Sequence, residues 1–186
     1  MKSTFHYPVS IILTILLFSS CAPKSAPDQP TQEQLETELR EANDQFYAAL
    51  NAMFVGDLEP MNNIWSHSEE VTDLGPFGGE RLLGWEAVGN EFKHEAGLKL
   101  GGKVVCEDLL IRVSNEMAYT TCVERGENMD ADGVPVEVKF RATNIFRREN
   151  DSWKLVHHHT DLSKPLQDVD TELESSVDSL QTTPTP

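Results

Sequence analysis

Basic residues are scarce in this 186-residue chain: 15 lysines and arginines stand against 31 aspartates and glutamates, a formal net charge of −16. Nucleic acid is therefore no natural partner, because a polyanion is met by a basic surface, and an anionic membrane surface is disfavoured for the same reason. A long apolar run is also missing at the N-terminus. VSIILTILLFSS, residues 9–20, is about 12 residues long, and a membrane-spanning helix needs ~20. Cysteine is sparse, at positions 21, 106 and 122, so a disulfide that leaves Cys21 aside rests on one pair. No internal repeat is visible. What remains is a length sufficient for one domain with a hydrophobic core.

Met1 and Lys2 precede the apolar run, and a basic start followed by a short apolar core reads as an export signal. Its end, LLFSSCAP, resembles a bacterial lipoprotein signal, with Ser19, Ser20 and Cys21 in place and Phe18 where such signals usually carry leucine. The resemblance implies that Cys21 becomes the lipidated N-terminus of an exported cell-envelope lipoprotein, which meets membrane only through its lipid anchor. Ala22 is no inner-membrane retention signal, so an outer-membrane destination follows if the source is Gram-negative. The alternative is an ordinary secretory signal in which Cys21 has no role. Residues 22–30, APKSAPDQP, read as a flexible tether. From residue 165 the tail carries five acidic and no basic residues and reads as disordered. The folded domain is then 31–164.

Thr31 and Gln34 have capping-box spacing, and Leu35, Leu39, Ala42, Phe46, Ala49, Leu50 and Met53 recur every three or four residues, which predicts a long amphipathic helix. Gly56 stops it, Asp57 caps a short second helix through Trp65, and GWEAVGNEFKHEAGL is a third, with Trp85, Val88, Phe92 and Ala96 on one face. Beyond residue 101 four strand-like segments alternate with turn compositions, an antiparallel meander. Helices first and strands after predict an α+β fold with the helices on one face of a curved sheet.

IWSHSEEVTDLGPFGGERLLGWEAV (64–88) and RATNIFRRENDSWKLVHHHTDLS (141–163) resemble the SnoaL-like branch of the nuclear transport factor 2-like superfamily. The resemblance implies a cone-shaped curved antiparallel sheet wrapped around a long N-terminal helix, with two shorter helices and a pocket at the wide end. It also implies a homodimer through the outer sheet face. It does not fix the function, since this fold hosts enzymes and binding modules alike.

The three histidines of VHHHT are not one cluster, because strand side chains alternate. Trp153, Leu155, His157 and His159 share one face, and Lys154, Val156, His158 and Thr160 the other. A three-residue loop at 149–151 sets Ile145 opposite Leu155, Thr143 opposite His157 and Arg141 opposite His159. Arg141, Thr143, His157 and His159 then tip an apolar pocket that Trp65 and Trp153 help to wall, while His67 and Asp73 lie, by the resemblance, across its mouth. His158 is expected on the outer sheet face and His94 on the surface. His157 and His159 have the spacing of two metal ligands on a strand, but Arg141 beside them repels a cation, so neither metal nor cofactor is expected.

Two functions follow. In the first, a tethered domain binds an unidentified small molecule, with Arg141 holding an acidic group. In the second, an enzyme of the dehydratase, isomerase or cyclase type uses His157 or His159 as general base, His67 as partner and Arg141 to stabilise an enolate-like oxygen. Cys106 and Cys122 oppose each other, and are candidates for a disulfide, if a three-residue loop spans 113–115. A two-residue loop instead opposes Cys106 to Val123, and two buried free thiols are the alternative.

Overall fold

The computed structural model describes residues 29–162 apart from 77 and 131. The expected signal segment with Cys21, residues 22–28 of the expected tether and the acidic tail lie outside the described residues. Helix α1 (Gln32–Phe54) starts with the capping box: Gln34 N donates to Thr31 Oγ1 at 3.2 Å and Thr31 N to Gln34 Oε1 at 2.7 Å. Its apolar stripe is buried from Leu35 to Met53, and Asn43 and Tyr47 are buried on the same stripe. Asp57 accepts from Glu59 N at 3.2 Å at the start of α2 (Glu59–Ile64). Two short strands follow, β1 (Thr72–Leu74) and β2 (Leu82–Leu83), then α3 (Trp85–Leu98). The meander is β3 (Lys103–Val113), β4 (Met117–Met129), β5 (Pro135–Glu149) and β6 (Ser152–Leu162).

The six strands form one curved sheet in the order β2-β1-β6-β5-β4-β3. The expected α+β cone is present, with β1 as an addition that runs parallel to β6. The helices pack into its concave side, where Phe46, Met53, Trp65, Val88, Phe146 and Leu155 are fully buried. Each such side chain contributes roughly 1.5–3 kcal/mol of transfer free energy. On the β3 edge, Asn51 of α1 donates to Val104 O at 2.8 Å and accepts from Val104 N at 2.7 Å, which satisfies backbone groups an edge would leave open. At Gly126 a Cβ would stand 1.9 Å from Lys103 O, so only glycine lets β4 come this close to β3.

Both hairpin registers differ from the sequence expectation. The β5–β6 turn has two residues, Asn150 and Asp151, at φ 49° and 62°. This left-handed pair is the pattern of a type I′ hairpin turn, and it sets Glu149 opposite Ser152. Farther along, Phe146 faces Leu155 but Ile145 faces His157, so Val156 is an extra residue, a β-bulge. A one-residue insertion reverses the alternation. Trp153 and Leu155 point inward before it, and His158 and Thr160 point inward after it. Arg141, Thr143, His157 and His159 do share a face, but it is the outer one, and His158 is not an outer residue.

The β3–β4 connection is longer than expected, with Val113 opposite Ala118, and the register shifts again between Glu107 and Leu110. Cys106 consequently faces Glu124, not Cys122, and both thiols are free. The cysteines are diagonal neighbours on the inner face. Diagonal pairs stand ~7–8 Å apart at Cα, beyond the ~4.4–6.8 Å of a disulfide.

Candidate functional site

The interior chemistry follows from one rung of the sheet. Thr120 on β4 pairs with Asn144 on β5, Asn144 with His158 on β6, and His158 with Asp73 on β1. Four polar side chains thus cross the concave face side by side. In the next rung Cys122, Ala142 and Thr160 line up, and beyond it Cys106 faces Glu124. Helix α1 lays Asn43, Phe46 and Tyr47 over these rungs, and α3 brings Glu91 and Glu95 toward Asp73.

Hydrogen bonds give the rung a direction. His158 Nδ1 lies 2.6 Å from Asn144 Oδ1. Asn144 Nδ2 reaches Asn43 Oδ1 at 3.4 Å, which also accepts from Thr120 Oγ1 at 3.0 Å. Asn43 Nδ2 in turn donates to Cys106 Sγ at 3.7 Å. Asn144 Oδ1 can only accept, so this chain assigns the proton to His158 Nδ1 and leaves Nε2 as the free lone pair. That nitrogen faces Glu124 Oε1 at 4.0 Å. Tyr47 O–H donates to Glu124 Oε1 at 3.0 Å, and its oxygen, also 3.0 Å from Cys122 Sγ, accepts from that thiol. Phe46 lies against the imidazole with ring centroids 5.0 Å apart.

Burial sets the protonation of these groups. It pushes Asp73 up to about 7, helped by the charge of Glu91 and opposed by a backbone hydrogen bond from Leu74. It pushes Glu95 up to about 7 with the charges of Asp73 and Glu91, and Glu124 up to about 7 with that of Asp73, the Tyr47 hydrogen bond opposing. His158 is held down to about 3, first by burial and then by His157 and His159. The contact between the two thiols lowers Cys106 and, with burial, raises Cys122. The interior therefore combines carboxyl groups poised near neutrality with a neutral imidazole, the raw material of proton transfer. Asp73 Oδ1 and Thr160 Oγ1 have no hydrogen-bond partner, although the residues are 7% and 3% exposed.

The residues singled out from sequence scatter. Asp73 is in the interior. Trp65 and Trp153 are buried core residues whose indole N–H groups are unpartnered; Trp65 leans on Phe92 at 5.3 Å, and the Arg148 guanidinium sits 5.6 Å over Trp153. His67 is exposed, stacked on Trp85 at 4.2 Å, with Nε2 2.9 Å from Asn62 O, so it is no partner for the strand histidines. Arg141 is on the outside in an ion pair with Asp161. His157 Nδ1 bonds Thr72 Oγ1 at 2.7 Å on the same side, where His159 is exposed. Asn43, Tyr47, Glu95 and Asn144 were not singled out. The available signal was polar residues at core-facing positions, as with Asn43 and Tyr47 on an apolar helix stripe. Among the described residues no three of His, Cys, Asp and Glu are placed to hold a metal ion.

Concavities adjoin the sheet on its outer face and beside the end of β1. One of about 420 Å³ lies on the outer face between Arg112, Met117, Tyr119, Thr143 and Ile145, away from the ionisable interior. A cleft of about 130 Å³ between Leu74, Pro76, Glu80, His159 and Asp161 includes Thr160, which thereby belongs both to this cleft and to the inner face.

The sequence profile of the SnoaL-like domain matches residues 39–165. No curated protein sequence matches the chain. Among solved structures, a dehydratase candidate of the nuclear transport factor 2-like family from Streptomyces avermitilis is 26% identical, with a TM-score of 0.61, covering 69% of this chain and 97% of that one. A candidate calcium/calmodulin-dependent protein kinase type II association domain from Thiobacillus denitrificans is 25% identical, with a TM-score of 0.54 over 73% of this chain and 98% of that one. A nuclear transport factor 2-like superfamily protein from Salmonella enterica is 16% identical, with a TM-score of 0.62 over 70% and 92%, a likeness of fold alone.

Proposed function

The chain belongs to the SnoaL-like domain family, and we propose that the interior of its cone is a small-molecule site centred on Asp73, not on the outward-facing histidines. The observation that carries this reading is the pair of buried, unpartnered oxygens, Asp73 Oδ1 and Thr160 Oγ1. A buried polar group without a partner costs ~1–3 kcal/mol, and a bound molecule supplies the missing bond. Thermal-shift screening of a small-molecule library against the protein and its Asp73→Asn variant tests it. Hits that raise the wild-type melting temperature and lose the effect in the variant support the site. Hits that bind both equally refute it.

The enzyme reading is favoured by the near-neutral carboxyl groups. Asp73 is ionised often enough at pH 7 to take a proton, while Glu124, in its protonated form, can donate to a developing oxyanion. The dehydratase candidate from Streptomyces avermitilis points the same way. Exchange of substrate-analogue C–H protons with solvent deuterium, abolished by Asp73→Asn, is the expected signature.

The outer face suits a second copy of the chain. Val105, Leu110, Met117 and Tyr119 are 40–44% exposed there beside the 420 Å³ concavity, an apolar patch of the kind that partners cover. Light scattering should report a dimer, and Tyr119→Asp a monomer. Export and lipid tethering through Cys21 are proposed on the sequence alone. The intact mass of membrane-fraction protein should carry an acyl addition that Cys21→Ser removes.

A further inference from the structure

Among the described residues the interior carboxyl groups have no basic counter-ion. Among the described residues, the arginines that form ion pairs spend them elsewhere: Arg125 on Glu107, Arg141 on Asp161, Arg147 on Glu70 and Glu149, and Arg148 on Glu38. None reaches Asp73, Glu91, Glu95 or Glu124. The charges felt by Asp73, Glu95 and Glu124 come from one another and from Glu91. The groups facing Asp73 are Glu91 and Glu95 from α3 and His158 from β6, with Glu124 and its Tyr47 partner beyond; β2 contributes only leucines. Helix α1 adds Phe46, and α3 adds Phe92 against Trp65.

We infer that the interior selects a molecule carrying a protonated amine on an apolar body, with Asp73 as its counter-ion and Thr160 as a second polar contact. This rests on the reading of the interior as a ligand site. An anion would add another charge to a like-charged cluster, which a low-dielectric interior penalises heavily. A neutral hydroxyl would satisfy one oxygen but leave the mutual repulsion of the carboxylates in place. An ammonium supplies up to three donors and the missing positive charge together, and the aromatic walls tolerate a cation. Binding should also tighten as pH rises through the range in which the carboxyl groups ionise while the amine stays protonated.

The test is calorimetric titration of the full chain with phenethylamine, 2-phenylethanol and phenylacetate, which share an apolar body and differ in charge. At pH 8 phenethylamine should bind at least about tenfold tighter than 2-phenylethanol, with phenylacetate weaker than both. At pH 6 its affinity should fall about tenfold as the carboxyl groups protonate. Asp73→Asn should abolish the preference for the amine, and Glu95→Gln should reduce it by a smaller factor. Both variants are close in shape to the native residues, and circular dichroism checks their folding. Equal or tighter binding of the alcohol, or an amine preference that survives Asp73→Asn, overturns the inference and leaves the small-molecule reading standing. No saturable binding by any of the three overturns both.

Discussion

The two faces of the sheet carry histidines one residue apart that live in different solvents. His158 looks into the cone, against Phe46 and Asn144, and is held neutral. His157 and His159 look outward beside Thr72 and Arg141, with Asp161 as the neighbouring carboxylate. The inner face carries a connected hydrogen-bond network, with Asp73 Oδ1 and Thr160 Oγ1 left unpartnered on it. The outer face is an apolar patch with exposed ion pairs at its margins. The difference teaches that chemistry on a strand is set by phase, and that here the phase is set by a single inserted residue, Val156.

If the inner face is the structural and chemical centre, the largest effect should come from breaking it. Phe46→Ala removes a fully buried ring and should cost ~3–5 kcal/mol of unfolding free energy in urea titrations. Tyr47→Phe keeps the shape but removes the donor to Glu124 and the acceptor for Cys122, a loss of ~1–3 kcal/mol. It should also raise the Glu124 carboxyl further, since the lost hydrogen bond was lowering it.

The pH dependence sharpens the contrast. Asp73, Glu95 and Glu124 sit near 7 in the fold, against ~4 in an unfolded chain. Between these values the folded state keeps protons that the unfolded chain has shed, so stability falls as pH rises through that window and levels off above it. His158, held at about 3, acts oppositely between pH ~3 and ~6.5, where only the unfolded chain takes up its proton. Three carboxyl groups against one imidazole leave the fall dominant, and the urea midpoint should be higher at pH 5 than at pH 8. The smallest effect belongs to the outer face. Arg141→Ala breaks a solvent-exposed ion pair and should leave the midpoint unchanged within error.

The helices were legible because their signals are local. A capping box and a seven-residue apolar stripe needed no tertiary information. The four long strands were legible from alternation and turn composition. Strands β1 and β2, of three and two residues, are too short to show a period and exist only through their pairing with β6 and each other. The registers were not legible. Asn150-Asp151 suits both a two-residue turn and part of a three-residue one, and nothing in KLVHHH marks Val156 as the inserted residue. The two-residue turn put Arg141 and Thr143 on the outer face, and the bulge at Val156 moved His157 and His159 to join them and brought His158 in. Asp73 was reached through family resemblance, but its carboxyl neighbours come from α3 and β4, distant in sequence, and only the closed cone assembles them.

An NMR pH titration that follows the His158 ring and the Asp73 carboxyl in the same sample bears on all of this at once. With His158 inside and Asp73 among uncompensated carboxyl groups, the imidazole should stay neutral from pH 8 down to pH 4, and Asp73 should titrate near 7. An ordinary His158 midpoint near ~6.5 together with an Asp73 midpoint near ~4 would contradict it, placing both side chains in water and removing the interior site.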